Sequence, residues 1–547
     1  MLDRYGYETH EVLNQPPPLA EFDAFSTDPT LKRVVAAFGA DWAREKLGAA
    51  GRTVGSSHVR TLARQANRYP PELRTHDRFG NRIDEIDFHP AWHELMGLAM
   101  SQEVHSLCWT DPRPSAQVAR AALSYLWNRG ENGIMCPILM TYGSIPTLRR
   151  DPALAALWES RVLSTRYDPR PIPAAAKMGI TVGMAMTEKQ GGSDLRQTQT
   201  VAERDGEGWR LVGHKWFFSA PNSDLFITLA RTEAGVSCFL VPGWLPDGTR
   251  NHLMLQRLKE KAGNRSNASS EVEYRGAYAQ LIGEEGRGIR EAISMGHLTR
   301  LECALSSAGI MREAVAQAAH HVTNRRAFQR SLVDQPLMAN VVADMQIEAV
   351  AAAWLSFRVA LAFDREADEA ERLIGRISAP IAKYWACKRV TPLVAEALEC
   401  HGGNGFIEDH LMARLYREAP LNGIWEGTGN VICLDVLRSM QRAPGSLDAL
   451  LAEIGEAKGV DRRFDQALAS LKQEVADLAP LESQARRLVE RLALMLAGSL
   501  MLRFESPELA DAFVASRLEA GWTGAFGTLP RSVDAGAIAR GAAPALH

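Results

Sequence analysis

The sequence changes its period twice. Up to about residue 181, and again from Gly288, apolar residues recur three and four apart; between about 182 and 285 they alternate. A chain ordered this way buries its apolar positions as helices, then a compact β unit, then helices again. The expected class is therefore α+β. Strands are expected over 209–219, 225–230 and 236–241, the last two joined by a turn holding Gly235, and a short extended piece starts at Val272. Helices are expected over 289–324, 337–363, 371–400, 411–417 and 428–442, with the spacing of a helical bundle. At 547 residues the chain is too long for one core. The expected units are 1–181 (arm and helices), 182–285 (β domain), 286–443 (bundle) and 444–547, an extra helical section beginning after Ala443-Pro444-Gly445-Ser446. Within that section helices are expected over 447–502 and 507–519, with a Gly-rich end, 521–547, expected to be partly disordered.

The first 35 residues read as an extended arm, because Pro16-Pro17-Pro18 lack the N–H a helix needs. Residues 41–163 read as helical, broken near Pro70-Pro71 and at Pro112 and Pro114. His89 and His93 are four apart, a spacing that could hold a metal, but Pro90 fits the first position of a helix and the glutamate follows the second histidine. A helix start is the reading, and no metal is expected. No apolar run follows a basic start at Met1, so no secretory signal is expected. The apolar stretch 350–363 carries Arg358 and reads as a buried helix, not a membrane span. Seven scattered cysteines without a Cys-x-x-Cys suit a reducing cytosol. A net charge of −3 gives no global pull toward nucleic acid or membrane. Walker A and Gly-x-Gly-x-x-Gly strings do not occur.

One string organises the rest: Met186-Thr187-Glu188-Lys189-Gln190-Gly191-Gly192-Ser193-Asp194. Adjacent glycines let backbone approach a ligand, and the flanking hydroxyls and N–H groups can line an anion-binding concavity; the same residues are also ordinary turn chemistry. As a whole the string resembles the first signature of the acyl-CoA dehydrogenase family. Gly213-His214-Lys215-Trp216-Phe217-Phe218-Ser219 is similar to that family's segment ending beside flavin N5. The resemblance implies ring contacts for Phe217, Phe218 and Ser219, although aromatics in an alternating strand equally form core. Arg325-Arg326-Ala327-Phe328 resembles the family's Arg-x-x-Phe-Gly, which reaches the FAD of a neighbouring subunit, with Gln329 replacing the glycine. The segment Glu399 to Gly405, with Gly402 and Gly403, resembles Gln-x-x-Gly-Gly-x-Gly, with Glu399 replacing the glutamine. A carboxylate there would repel a pyrophosphate unless paired.

Trp425-Glu426-Gly427-Thr428-Gly429-Asn430 resembles the family's aromatic-Glu-Gly-Thr segment. The resemblance implies that Glu426 is the catalytic base and that Met186, Thr187, Gly192, Ser193, Trp425, Gly427, Thr428 and Asn430 meet FAD. A desolvated carboxylate suits removal of the weakly acidic α-proton of a thioester, and the flavin carries the redox step. The earlier position used by some family members for the base, just before Arg300, is here Thr299, which cannot serve.

Within the family the chain is most similar to the AidB-type adaptive-response flavoproteins, through the arm segment from Thr9 to Pro16, the segment from Leu258 to Ser269, and the section after 445. That likeness implies a cytoplasmic, FAD-containing homotetramer that binds double-stranded DNA, serves the response to DNA alkylation, and turns over acyl-CoA weakly. From Gly445 onward there are eleven Lys and Arg against fourteen Asp and Glu, so a uniformly basic domain is excluded. Local candidates for phosphate contact are Arg438, Arg486, Arg487 and Arg491. The alternatives are a metabolic acyl-CoA dehydrogenase, or an oxidase, with no DNA role.

Overall fold

The computed structural model describes residues 9–477, 482–519 and 521–545. The first eight residues, the N-terminal start among them, and the last two lie outside the described residues.

The arm packs on its own chain. Asn14 Nδ2 donates to Arg326 O, and Arg326 N returns a bond to Asn14 Oδ1, both at 2.8 Å. Further on, Leu19, Phe22 and Phe25 are buried. The arm ends in a helix, Pro29–Ala37, capped by Asp28 with proline at its first position. The region expected to be helical throughout contains a hairpin, β1 (Glu72–His76) and β2 (Arg82–Asp87). It is pinned to the β domain, where Arg82 Nη2 donates to Leu255 O at 2.6 Å. Pro90 starts the helix Pro90–Ser101, and the His89 ring accepts from Ala91 N. His93 Nδ1 and Tyr167 Oη are 2.8 Å apart, and no group of three metal-ligating side chains occurs among the described residues.

The β domain comprises β3 (Val182–Ala185), β4 (Val201–Asp205), β5 (Gly208–Ser219), β6 (Leu225–Thr232), β7 (Gly235–Pro242), β8 (Leu253–Leu258) and β9 (Ser269–Ile282). Strand order is β3-β6-β4-β5-β9-β7, and the pairing of β6 with β7 closes the sheet into a barrel, with β8 added on β9. Alternation along β5 sends Trp209, Leu211 and Lys215 inward. A register shift against β9 between Lys215 and Phe218 then re-aims the strand's end, leaving Phe217 exposed and Phe218 buried.

The bundle is formed by Gly288–Asn324, Pro336–Asp364, Glu369–Glu399 and Gly429–Arg442. Pro336–Asp364 is long and apolar enough to cross a membrane, yet 94 % of its most apolar window is buried inside the protein. The last section differs from expectation in two ways. The long helix is three helices, Ser446–Gly455, Arg462–Asp477 and Ala485–Phe504. The Gly-rich end also carries a helix, Ala535–Ala542, whose Ile538 and Ala539 are buried. This section shares one core with the bundle. Glu505 accepts hydrogen bonds from Thr30 and Trp354, and Arg517 is paired with Asp344 at 2.5 Å inside the core.

Candidate active site

The first signature loop is anchored from below. Glu188 is buried and paired with Lys215 at 2.8 Å, and also accepts from Thr200 Oγ1 and Gln199 N, both at 2.7 Å. Burial alone would raise the carboxyl's pKa, but Lys215, Thr200 and Gln199 together bring it down to about 2. Lys215, desolvated, is itself lowered. Trp216 N donates to Thr187 O at 2.8 Å, so β5 also holds the loop from the side. A Cβ on Gly192 would lie 2.3 Å from Thr187 Oγ1, so the glycine is required for the chain to pass there. Ser193 is exposed, and Met186 is half-buried against the apolar cluster beneath β3.

Of the two phenylalanines, Phe217 is 51 % exposed, free to stack on a planar ligand. Phe218 corrects the expectation. Its ring lies in the barrel interior, 4.6 Å from that of Phe226, because the register shift after Lys215 reverses the alternation and turns it inward. Ser219, opposite Ser269 at the end of β5, remains half-exposed.

Glu426 enters from the bundle. Both Glu426 (φ +58°) and Gly427 (φ +105°) sit in the left-handed region, a sharp turn that precedes the helix Gly429–Arg442. Lys383 donates to Gly427 O, and Arg300 Nε lies 3.5 Å from Glu426 O. Arg300 and Arg376 both pair with Asp435, at 2.7 and 3.0 Å. Thr299 Oγ1 is 2.7 Å from Glu426 Oε2. Trp425 is half-buried and donates from its indole to Asn422 Oδ1 at 3.0 Å. It packs with Met184 against Cys136, Met140 and Ala220. The barrel end bearing Ser219 thus meets the turn bearing Glu426 across a small apolar floor.

Two residues of this floor carry no signature. Lys261 donates to Asn267 O at 2.6 Å and to Ser269 Oγ at 3.0 Å, and makes no ion pair among the described residues. Burial lowers its pKa to about 8, against the pull of Cys136, Glu418 and Glu131. Cys136 faces the Ser219 hydroxyl and the Asn267 amide, and burial pushes its thiol up to about 11. Lys261 lies within the AidB-like segment read from the sequence, but only the fold brings it to Ser269.

Arg325, Phe328, Gly402 and Gly403 are elsewhere. Arg325 follows the helix that carries Thr299, 26 residues further on, or about 39 Å along its axis. The ring of His401, next to Gly402, is 4.5 Å from that of His321, which places the glycine segment at the same remote end. Phe328 is 91 % exposed, and a Cβ on Gly402 or Gly403 would meet nothing within 4 Å. One chain therefore does not bring these four residues to Glu426.

The arginines expected to meet DNA are mostly engaged. Arg487 and Arg491 pair with Glu474, and Arg486 Nε donates to Asn430 Oδ1 at 2.8 Å. Arg438 is exposed and makes no ion pair among the described residues.

Family models match in three consecutive pieces: the adaptive response protein AidB N-terminal domain over 14–169, the acyl-CoA dehydrogenase middle domain over 183–277, and the acyl-CoA dehydrogenase C-terminal domain over 286–441. The putative acyl-CoA dehydrogenase AidB of Escherichia coli (strain K12) is 45% identical over 516 residues, covering 94% of this chain and 95% of that protein. The acyl-CoA dehydrogenase family member 11 of Caenorhabditis elegans is 30% identical over 485 residues, 85% of this chain and 77% of that one. Among solved structures, Caenorhabditis elegans ACDH-11 in complex with C11-CoA superposes with a TM-score of 0.86 at 27% identity, covering 95% and 96% of the two chains.

Proposed function

The chain belongs to the acyl-CoA dehydrogenase family, in its AidB-type branch, and from that premise we propose that it removes the α-proton of an acyl-CoA with Glu426. It is an FAD-dependent oxidoreductase. The residues present suit a flavin: an exposed ring at Phe217, the hydroxyl of Ser219 beside it, and a glycine turn at Gly192 that leaves room for close approach. When bound, the flavin accepts the β-hydride of the substrate.

The observation that carries the reading is the meeting of Glu426 with the Ser219 end of the barrel over the apolar floor of Cys136, Met140, Ala220 and Trp425. Glu426 is half-buried over this floor, and an acyl chain lying on it would complete the exclusion of water that a base for a weak carbon acid needs. Glu426 takes the α-proton; Phe217 and Ser219 orient the flavin; Lys383 and Arg300 hold the backbone on which the base rides. The remote position of Arg325, Phe328, Gly402 and Gly403 supports assembly as a homotetramer in which a neighbouring copy completes each cofactor site. The test is to mix purified protein with a series of acyl-CoA thioesters under anaerobic conditions and follow flavin bleaching. Bleaching abolished by Glu426→Gln supports the reading; bleaching at the parent rate in that variant refutes it.

A second reading adds double-stranded DNA and the cytoplasmic response to alkylation, as the AidB likeness implies. Arg438 favours it, as an exposed cation without an ion-pair partner among the described residues. Phosphate contact predicts that Arg438→Ala weakens binding to a short duplex and lowers the salt slope by about one. An unchanged slope removes Arg438 from that role.

A further inference from the structure

Thr299 was set aside in the sequence because it cannot be a base, yet the fold brings it directly to one. Its Oγ1 lies 2.7 Å from Glu426 Oε2, across 127 residues of sequence. Glu426 Oε1 makes no hydrogen bond among the described residues. The two oxygens of the carboxylate are therefore not equivalent. We propose that Thr299 is a positioning residue that holds Oε2 and so reserves Oε1 for the α-proton of the substrate, an inference that rests on the acyl-CoA reading above.

The chemistry follows from what a hydroxyl can offer. Threonine has one proton to donate, and here it has three acceptors within reach: Glu426 Oε2, Gly296 O at 3.2 Å and Met295 O at 3.4 Å. The carboxylate wins, because it is nearest and a bond to an ionised acceptor is about twice as strong as a neutral one. Thr299 is only 6 % exposed, so water does not readily replace it. The carboxylate also has little freedom of its own. Its backbone is in the left-handed region, which L-residues adopt only when surroundings impose it, and Lys383 and Arg300 grip the flanking carbonyls. With the backbone fixed and Oε2 held, the remaining rotation of the side chain is fixed too.

In the reaction the α-carbon–hydrogen bond breaks and an O–H bond forms at Oε1. The electron pair left on the α-carbon would form the new carbon–carbon double bond as the β-hydride, with its two electrons, left for the flavin that the site would hold. Thr299 neither gains nor loses a proton. Its one proton stays on Oγ1 and is donated to Oε2, so the contact is lost in any variant without the hydroxyl.

The test compares Thr299→Val, which keeps the shape and removes the donor, with Thr299→Ser, which keeps the donor. Two readouts are taken on FAD-loaded protein: the pH profile of flavin bleaching by acyl-CoA, and the charge-transfer absorbance of a 3-thia-acyl-CoA. That analogue surrenders its α-proton but, with sulfur at the β-position, has no hydride to lose, so its band reports deprotonation without turnover. In Thr299→Val the acid limb of both profiles is expected to move to higher pH, because the carboxylate loses its hydrogen-bond donor. The bleaching rate constant at saturation falls about tenfold, with less change in KM. Thr299→Ser retains the parent profile. Should the valine chain lose its flavin, Thr299→Ala, which adds no bulk, carries the same comparison. Superimposable profiles for parent and donor-less variants overturn the proposal while Glu426→Gln still abolishes bleaching. If Glu426→Gln bleaches normally, it is the acyl-CoA reading that falls.

Discussion

Arg486 Nε donates to Asn430 Oδ1 at 2.8 Å, joining the section after residue 445 to the first turn of the helix that follows Glu426-Gly427-Thr428. An arginine that the sequence offered to DNA is engaged with a residue offered to the flavin. The two functions read into this chain are therefore linked by one hydrogen bond.

Arg486→Ala should loosen the start of Gly429–Arg442. Arg486 is exposed, so the bond contributes only about 0.5–1 kcal/mol after solvent screening. The expected outcome is FAD release some two- to fivefold faster, read from the rise of free-flavin fluorescence on dilution, with DNA affinity changed less than by Arg438→Ala.

Removing one partner of the Glu188–Lys215 pair should cost far more than removing both. Glu188→Gln leaves a buried ammonium without its counter-charge, a loss of about 3–5 kcal/mol. Adding Lys215→Met to that change should recover most of it, as measured by urea midpoints. The pair also has a pH signature. Glu188 is held at about 2, below the ordinary carboxylate value of 4.5, so its contribution is complete above pH 4.5 and is lost as pH falls toward 2. In Glu188→Gln that part of the acid-denaturation curve should flatten.

Lys261 predicts the opposite behaviour. Its pKa falls from 10.5 unfolded to about 8 folded, so between those values the unfolded chain binds more protons and stability rises with pH. Below pH 8 the buried charge is a net cost, on the order of 3 kcal/mol for a shift of this size. Lys261→Met should raise the thermal midpoint at pH 7 and lose that advantage above pH 10. An unchanged midpoint at pH 7 would mean that the ammonium is better solvated than its surroundings indicate.

Gly192→Ala should empty the flavin site without unfolding the chain. The added methyl meets Thr187 Oγ1 at 2.3 Å, in a loop fixed by Glu188 beneath and Trp216 beside it, so the loop must shift where the flavin is to lie. The measurement is flavin absorbance per chain after purification, expected to fall severalfold while circular dichroism remains that of the parent.

The barrel and the bundle were legible because their burial follows a clean period, two in the strands and three to four in the helices. The β1–β2 hairpin was not. Its strands, Glu72–His76 and Arg82–Asp87, are charged and half-exposed on both faces, so no apolar stripe marks them. The helix Ala535–Ala542 escaped for a different reason. It is built of alanine and glycine around Ile538, a composition that in isolation forms no stable structure and is ordered here by what it packs against. At the site, Glu426 could be proposed as the base because its neighbours form a contiguous string. Phe218 was left between ring contact and core because a string does not record which way a strand turns after a bulge; the fold puts it in the core. Thr299 and Lys261 lie in stretches the sequence did single out, but their contacts with Glu426 and with Ser269 come from elements that meet only in the folded chain.

The helix Ala535–Ala542 packs against Pro336–Asp364 and Gly288–Asn324, and Arg312 reaches from inside the bundle to Ala542 O at 3.2 Å. Arg312 and Ala542 are 230 residues apart in sequence, so a ribosome adds this helix long after the bundle helices it packs against. The bundle can nucleate during synthesis, but a contact within its core waits for the helix Ala535–Ala542 to leave the exit tunnel. Nascent chains stalled before that helix emerges would hold a barrel already closed beside helices still lacking this neighbour.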